Sequence, residues 1–158
     1  MSEYSRPPVR NRRLETGVYR QPDRPVFVTI RAAGALVPFR EPGITKAVID
    51  ALLVNRDRSG CAVYAYCLMP DHVHFVAAPG EGGDVCSLVD RFKSASTRVA
   101  WRYGVTGRLW QPRWYDHVVR RDESLVAICE YVLLNPVRAR LVARSRDYPW
   151  CGQPDPIP

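Results

Sequence analysis

The stretch CAVYAYCLMPDHVHFVAAP, residues 61–79, decides how the chain folds. Cys61 to Leu68 and His72 to Ala77 are rich in β-branched, aromatic and small apolar residues. The Met69-Pro70-Asp71 segment between them leaves room only for a tight turn, so the stretch predicts a β-hairpin. Residues i and i+2 of a strand project from one face, about 7 Å apart. His72 and His74 therefore point the same way and can reach one ion, whereas a lone histidine in such a run reads as a core residue. The His-x-His spacing by itself serves many unrelated metal sites.

Working outward, PVFVTIR at Pro25 to Arg31 predicts a strand that the AAG break ends. A helix follows from about Gly43, with Ile44, Val48, Ala51, Leu52 and Val54 at near-helical spacing until the NRDRSG turn. Beyond the EGGD segment, Val85 to Tyr103 is an amphipathic helix. Val85, Leu88, Val89, Phe92, Ala95, Val99 and Ala100 form its apolar face, and Arg91, Lys93, Arg98 and Arg102 its polar face. Leu109 to Arg120 predicts a further strand with a loop at its start. A last helix opens near Asp122, where Asp122 and Glu123 suit the positive end of its dipole, and runs to about Asn135-Pro136 with a short continuation through Leu141. The order β-α-β-β-α-β-α matches an α+β class fold, a ferredoxin-like antiparallel sheet with helices and one appended helix.

The chain of 158 residues, 46% hydrophobic, is sized for one domain with a real core. We divide it into a flexible basic arm at 1–24, holding Arg6, Arg10, Arg12, Arg13, Arg20 and Arg24, a domain at 25–150, and a short tail at 151–158. The net charge of +7 points to a polyanionic partner, nucleic acid above all. Of the 23 basic residues only Lys46 and Lys93 are lysine. Guanidinium forks suit phosphates and stack on bases, and a GC-rich genome would give the same bias. The five cysteines, Cys61, Cys67, Cys86, Cys129 and Cys151, have no zinc-like spacing and read as reduced, mostly buried thiols. There is no apolar run of about 20 residues and no signal-peptide core, so no membrane partner and a cytoplasmic location are expected.

Tyr131 and Asn135 lie four apart in the last helix and so share a face. In isolation such a tyrosine is more often a core residue. Beside a metal site its meaning changes, because a divalent ion can polarise a phosphate under attack by a phenol that is otherwise a poor nucleophile. Asn135 can supply a neutral third ligand and leave positions for phosphate and water, as Mg²⁺ prefers.

With these residues assembled, the chain resembles the REP-associated tyrosine transposases, a branch of the single-tyrosine HUH endonucleases in the IS200-like transposase superfamily. The matching stretches are FVTIRAAG, YCLMPDHVHFVAAP, LWQPRWYDHVVR, and YVLLNPVRARLV followed by DYPW, together covering about residues 26 to 150. The resemblance implies that His72 and His74 are the metal-binding histidines, Tyr131 the nucleophile and Asn135 the residue completing the site, with Mg²⁺ or Mn²⁺ as the ion. It implies cleavage and rejoining of single-stranded DNA at palindromic repeats through a 5′-phosphotyrosine, a strand exchange that conserves bond energy. No GxxxxGK[ST] loop for a nucleotide occurs. The implied partner is single-stranded or hairpin DNA, the implied setting bacterial and nucleoid-associated, and the protein a monomer or homodimer.

Reading single strands needs aromatic platforms and cations. Trp101, Trp110, Trp114 and Tyr115, with Arg102, Arg108 and Arg113, are the candidates, and we favour Arg102, Arg108, Arg113 and Trp114. His117 belongs to the family pattern with two roles open, a structural one and one near the scissile phosphate or bonded to Asp116. Cys151 stands where the family commonly has serine. Two other readings compete: a domesticated, non-catalytic DNA-binding protein of the same fold, and an oxygenase using the histidines with a carboxylate such as Asp116 or Glu130.

Overall fold

A computed structural model describes residues 14–35 and 37–158. Its centre is the hairpin of β2 (Cys61–Met69) and β3 (His72–Pro79), and β1 (Val26–Arg31) pairs antiparallel with β3 on the other side. Strand β4 (Tyr115–Val118) pairs with β1, and β5 (Cys151–Gly152) pairs with β2. The sheet order is β4-β1-β3-β2-β5, with every neighbour antiparallel. The first four strands have the ferredoxin-like arrangement anticipated from the order of elements.

Alternation of side chains divides the sheet into two apolar layers. Val26, Val28 and Ile30 of β1 and Val73, Phe75 and Ala77 of β3 face helices α1 (Pro42–Arg58) and α2 (Val85–Trp101), meeting Val48, Leu52, Leu88 and Phe92. Phe27 of β1, Val76 and Ala78 of β3, and Cys67 and Met69 of β2 face α3 (Leu125–Leu133) through Ile128, Cys129 and Val132. A bulge between Val63 and Ala65 turns Tyr64 and Ala65 to this second layer. His72 and His74 alternate with Val73 and Phe75, so they belong to the face covered by α3.

Side-chain caps start all three long helices. Glu41 accepts from the backbone N–H of Gly43 and Ile44, Asp84 from Cys86 and Ser87, and Ser124 from Ala127. Gly60, at φ +64°, closes the α1–β2 turn, and a Cβ on Gly83 would overlap its carbonyl, so the turn packs directly on the loop entering α2.

Several boundaries differ from the sequence reading. Helix α1 continues through the NRDRSG segment to Arg58, and β4 is only four residues long, the chain before it touching the sheet through a single bridge between Ala32 and Trp110. The last helix starts later than expected, at Leu125 with Ser124 as its cap. It breaks after Leu133 because Pro136 has no N–H to donate to the preceding turn, and α4 (Asn135–Arg138) follows. The arm reading fails for its described part. Residues Thr16–Arg20 form a 3₁₀ helix whose Tyr19 is fully buried against Trp114, and Arg20 pairs with Asp84 at 2.8 Å. Arg24 donates to the Gln21 side-chain oxygen at 2.6 Å, and Arg6, Arg10, Arg12 and Arg13 lie outside the described residues.

The tail also carries structure. Beyond β5, the Asp155 carboxylate accepts from the Val63 backbone N–H at 2.7 Å and from Arg56 at 3.2 Å. Cys67 and Cys151, opposite each other on β2 and β5, form a disulfide, against the expectation of five reduced thiols. No described helix is long and apolar enough to cross a membrane.

Candidate active site

The pleat of β3 presents both imidazoles to the α3 side, and each is held at Nδ1. The Asp71 carboxylate lies 2.6 Å from His72 Nδ1, and since a carboxylate only accepts, that nitrogen carries a proton, which in the neutral ring leaves the lone pair on Nε2. Thr29 Oγ1 lies 2.7 Å from His74 Nδ1, in register across the β1–β3 pair. A hydroxyl donates or accepts, so Thr29 serves either tautomer of His74. The two Nε2 atoms are 3.1 Å apart. Adjacent ligand atoms around an octahedral ion at about 2.1 Å are separated by about 3 Å, so the pair fits two neighbouring corners of such a sphere. Among the described residues no cluster of three or more His, Cys, Asp or Glu that could hold a metal ion occurs.

Phe27 links this pair to the last helix. Its ring stacks on His74 at 5.4 Å between centroids and meets Tyr131 edge-to-face at 6.2 Å. Tyr131 is half-buried at the border of the α3 layer. Asn135 opens α4 one turn further on, and its side-chain nitrogen is buried without a hydrogen-bond partner among the described residues. An orphaned amide is costly unless something meets it, and turned about its last bond it offers an oxygen instead. The donor chemistry and the histidine spacing thus fit a divalent ion.

His117 stands beside Phe27 in the β1–β4 register, and its Nε2 bonds to both oxygens of Glu123 at 2.8 and 2.9 Å. Its partner is not Asp116. Burial would raise the Glu123 carboxyl, but the Arg120 backbone N–H, the His117 ring and the nearby charges outweigh it and hold the group below its usual value. Glu123 is therefore a loop anchor ahead of α3, not a residue of the helix's first turn. Asp116 pairs with Val28 on the opposite face and accepts a 2.8 Å bond from the Tyr19 hydroxyl, while Glu130 is exposed. Asp116 therefore cannot complete an oxygenase triad with the histidines. Burial, then the Asp116 bond, push the Tyr19 hydroxyl well above the usual tyrosine range.

The expected DNA contacts divide. Trp114 is buried in the helix-side layer against Tyr19, which corrects its assignment as a base-stacking surface. Trp110 is core as well, its indole N–H donating to Ser96 Oγ at 2.8 Å. Arg102, Arg108 and Arg113 are exposed. Arg108 shares an open groove along α2 with Lys93, Arg98 and the half-exposed Trp101, and Arg102 borders the cleft between α1 and α2; α2 covers the face of the sheet opposite the histidines. Sequence reasoning missed Thr29 and Asp71, whose meaning depends on strand register, and Arg138. The Arg138 guanidinium lies 3.7 Å over the Tyr131 ring and donates to the Tyr131 carbonyl at 2.6 Å.

The family model for "Transposase IS200 like" matches residues 38–134, from the turn before α1 to the end of the tyrosine helix, and spans both histidines and Tyr131. The chain belongs to the IS200-like transposase family. Among relatives of this transposase is the REP-associated tyrosine transposase of Escherichia coli K12, 28% identical over 97 residues, or 61% of this chain and 56% of the relative. The chain thus spans little more than half the length of that relative. A solved structure of a REP-associated tyrosine transposase bound to a REP hairpin superposes with a TM-score of 0.71 at 22% identity, covering 96% of this chain and 82% of the other. The IS200-like transposase described here shares that fold.

Proposed function

We propose that the protein cleaves and rejoins single-stranded DNA beside hairpin-forming repeats, with Tyr131 as nucleophile. The observation that carries this reading is the junction of His74, itself paired with His72, to Tyr131 through one ring, Phe27. Tyr131 Oη attacks a phosphodiester, the bond from phosphorus to the 3′ oxygen breaks, the phenol proton passes to solvent, and the leaving oxygen is protonated to a 3′-OH. The 5′ phosphate remains on the tyrosine, and a second 3′-OH reverses the step. A divalent ion, Mg²⁺ or Mn²⁺, would be held by His72, His74 and Asn135 and would polarise the phosphate. Thr29 and Asp71 fix the imidazoles, and Phe27 sets the tyrosine's place against them.

Family membership and the hairpin-bound structural neighbour support hairpin DNA as substrate, and the net charge of +7 with the groove of Lys93, Arg98, Trp101 and Arg108 supplies a cationic surface for it. The test is incubation with a hairpin-containing oligonucleotide and Mg²⁺ or Mn²⁺, followed by denaturing electrophoresis. Wild type is expected to give a covalent protein–DNA adduct and Tyr131→Phe none. An adduct of equal yield from Tyr131→Phe would overturn the assignment, and binding without any adduct would favour a non-catalytic protein of this fold.

A further inference from the structure

Arg138 makes two contacts with one residue. Its guanidinium stacks on the Tyr131 ring at 3.7 Å, and its Nη2 donates to the Tyr131 carbonyl at 2.6 Å. That carbonyl lies in the last turn of α3, where helix carbonyls lack intrahelical donors and the Pro136 break removes the usual continuation. Position 138 is two turns after 131, on the same stripe as Asn135, and helical side chains lean toward the N-terminus. An arginine there is aimed back at the tyrosine, and a shorter side chain would not reach.

The ring is thereby confined on two sides. Phe27 meets it at an interplanar angle of 80° from the sheet, and Arg138 covers one of its faces from α4. A half-buried phenol at a helix end would otherwise sample more than one rotamer, and a nucleophile must be held within reach of its target to react at a useful rate. Arg138 itself is exposed and forms none of the described salt bridges, so the contact with Tyr131 is where its side chain is spent.

We propose that Arg138 is a positioning residue for the strand-transfer reaction, clamping the Tyr131 ring between the guanidinium and Phe27. This rests on Tyr131 being the nucleophile. The clamp needs both a flat cation and a fork that bonds the carbonyl. Lysine keeps the charge but not the plane, and methionine keeps the reach but neither.

The experiment compares wild type, Arg138→Lys, Arg138→Met and Tyr131→Phe on one hairpin oligonucleotide. It reads the single-turnover rate of adduct formation, the Kd for the same DNA and the melting temperature. Arg138→Met is expected to slow adduct formation on the order of 100-fold, the scale for a misplaced nucleophile, with Kd within about twofold of wild type and melting unchanged. Arg138→Lys should fall between, and guanidinium ion at non-denaturing concentration should partly restore Arg138→Met but not Tyr131→Phe. A wild-type rate in Arg138→Met would overturn the positioning role while leaving the nucleophile intact. A loss of rate matched by an equal weakening of Kd would overturn it in favour of plain DNA binding. If Tyr131→Phe forms adduct, the underlying reading fails instead.

Discussion

His72 Nε2 lies 3.1 Å from His74 Nε2, and each ring is held from its far side, by Asp71 at 2.6 Å and Thr29 at 2.7 Å. Such partners set tautomer and ring orientation, and losing one typically costs about 10–100-fold in metal affinity. We expect Thr29→Val and Asp71→Ala each to weaken Mn²⁺ binding by that factor in an electron paramagnetic resonance titration, with the circular dichroism spectrum unchanged. Unaltered affinity in both would mean that the two partners serve packing alone.

Removal of divalent ions should abolish adduct formation while the protein stays folded, because the sheet and helices are held by their own apolar layers. Chelation followed by addition of Mg²⁺ or Mn²⁺ tests this on one sample. Undiminished adduct in excess chelator would separate Tyr131 from any metal requirement.

The pair of Glu123 and His117 gives the stability a defined acid limb. The Glu123 carboxyl is held below its ordinary value of 4.5 in the folded chain, so its contribution is complete above that pH and is lost as pH falls through the folded value. Glu123→Gln removes this carboxylate, so the melting temperature should drop at pH 7 and its decline between about pH 5 and pH 3 should be shallower than in wild type. Parallel melting curves down to pH 3 would contradict the linkage.

Tyr19 lies before the first strand, yet it is 0% exposed and donates to Asp116 at 2.8 Å. Truncating a buried aromatic side chain costs about 3–5 kcal/mol, so Tyr19→Ala should shift the urea midpoint strongly. Tyr19→Phe keeps the ring and loses the bond to Asp116, at a cost of about 1–3 kcal/mol. A midpoint unmoved by Tyr19→Ala would show that this segment does not belong to the core.

Burial pushes the thiols of Cys61 and Cys129 up to about 11, and Cys67 is bonded to Cys151. Alkylation of the native protein at pH 8 should therefore spare these four and modify the half-buried Cys86 first, as read by peptide mass spectrometry. Rapid modification of Cys67 or Cys151 without reductant would refute the pairing.

Much of this was legible along the chain because its signals are local. The alternation in β1 and β3, the Pro70 turn and the apolar spacing of α2 fall within single elements, where the periods of 2 and 3.6 act directly. His-x-His on a strand places two imidazoles on one face whatever the rest of the chain does, and the four-residue spacing of Tyr131 and Asn135 puts them on one face of the terminal helical segment.

Only the tertiary structure decided which distant residues complete these features. Thr29 meets His74, Phe27 stands between His74 and Tyr131, and Glu123 rather than Asp116 takes His117, because strand register and the α3 layer bring together groups that sequence spacing leaves unrelated. The same holds for Tyr19 and Trp114, which read as an arm residue and a stacking platform and are core, since burial is settled by what packs above a side chain and not by its neighbours in the chain.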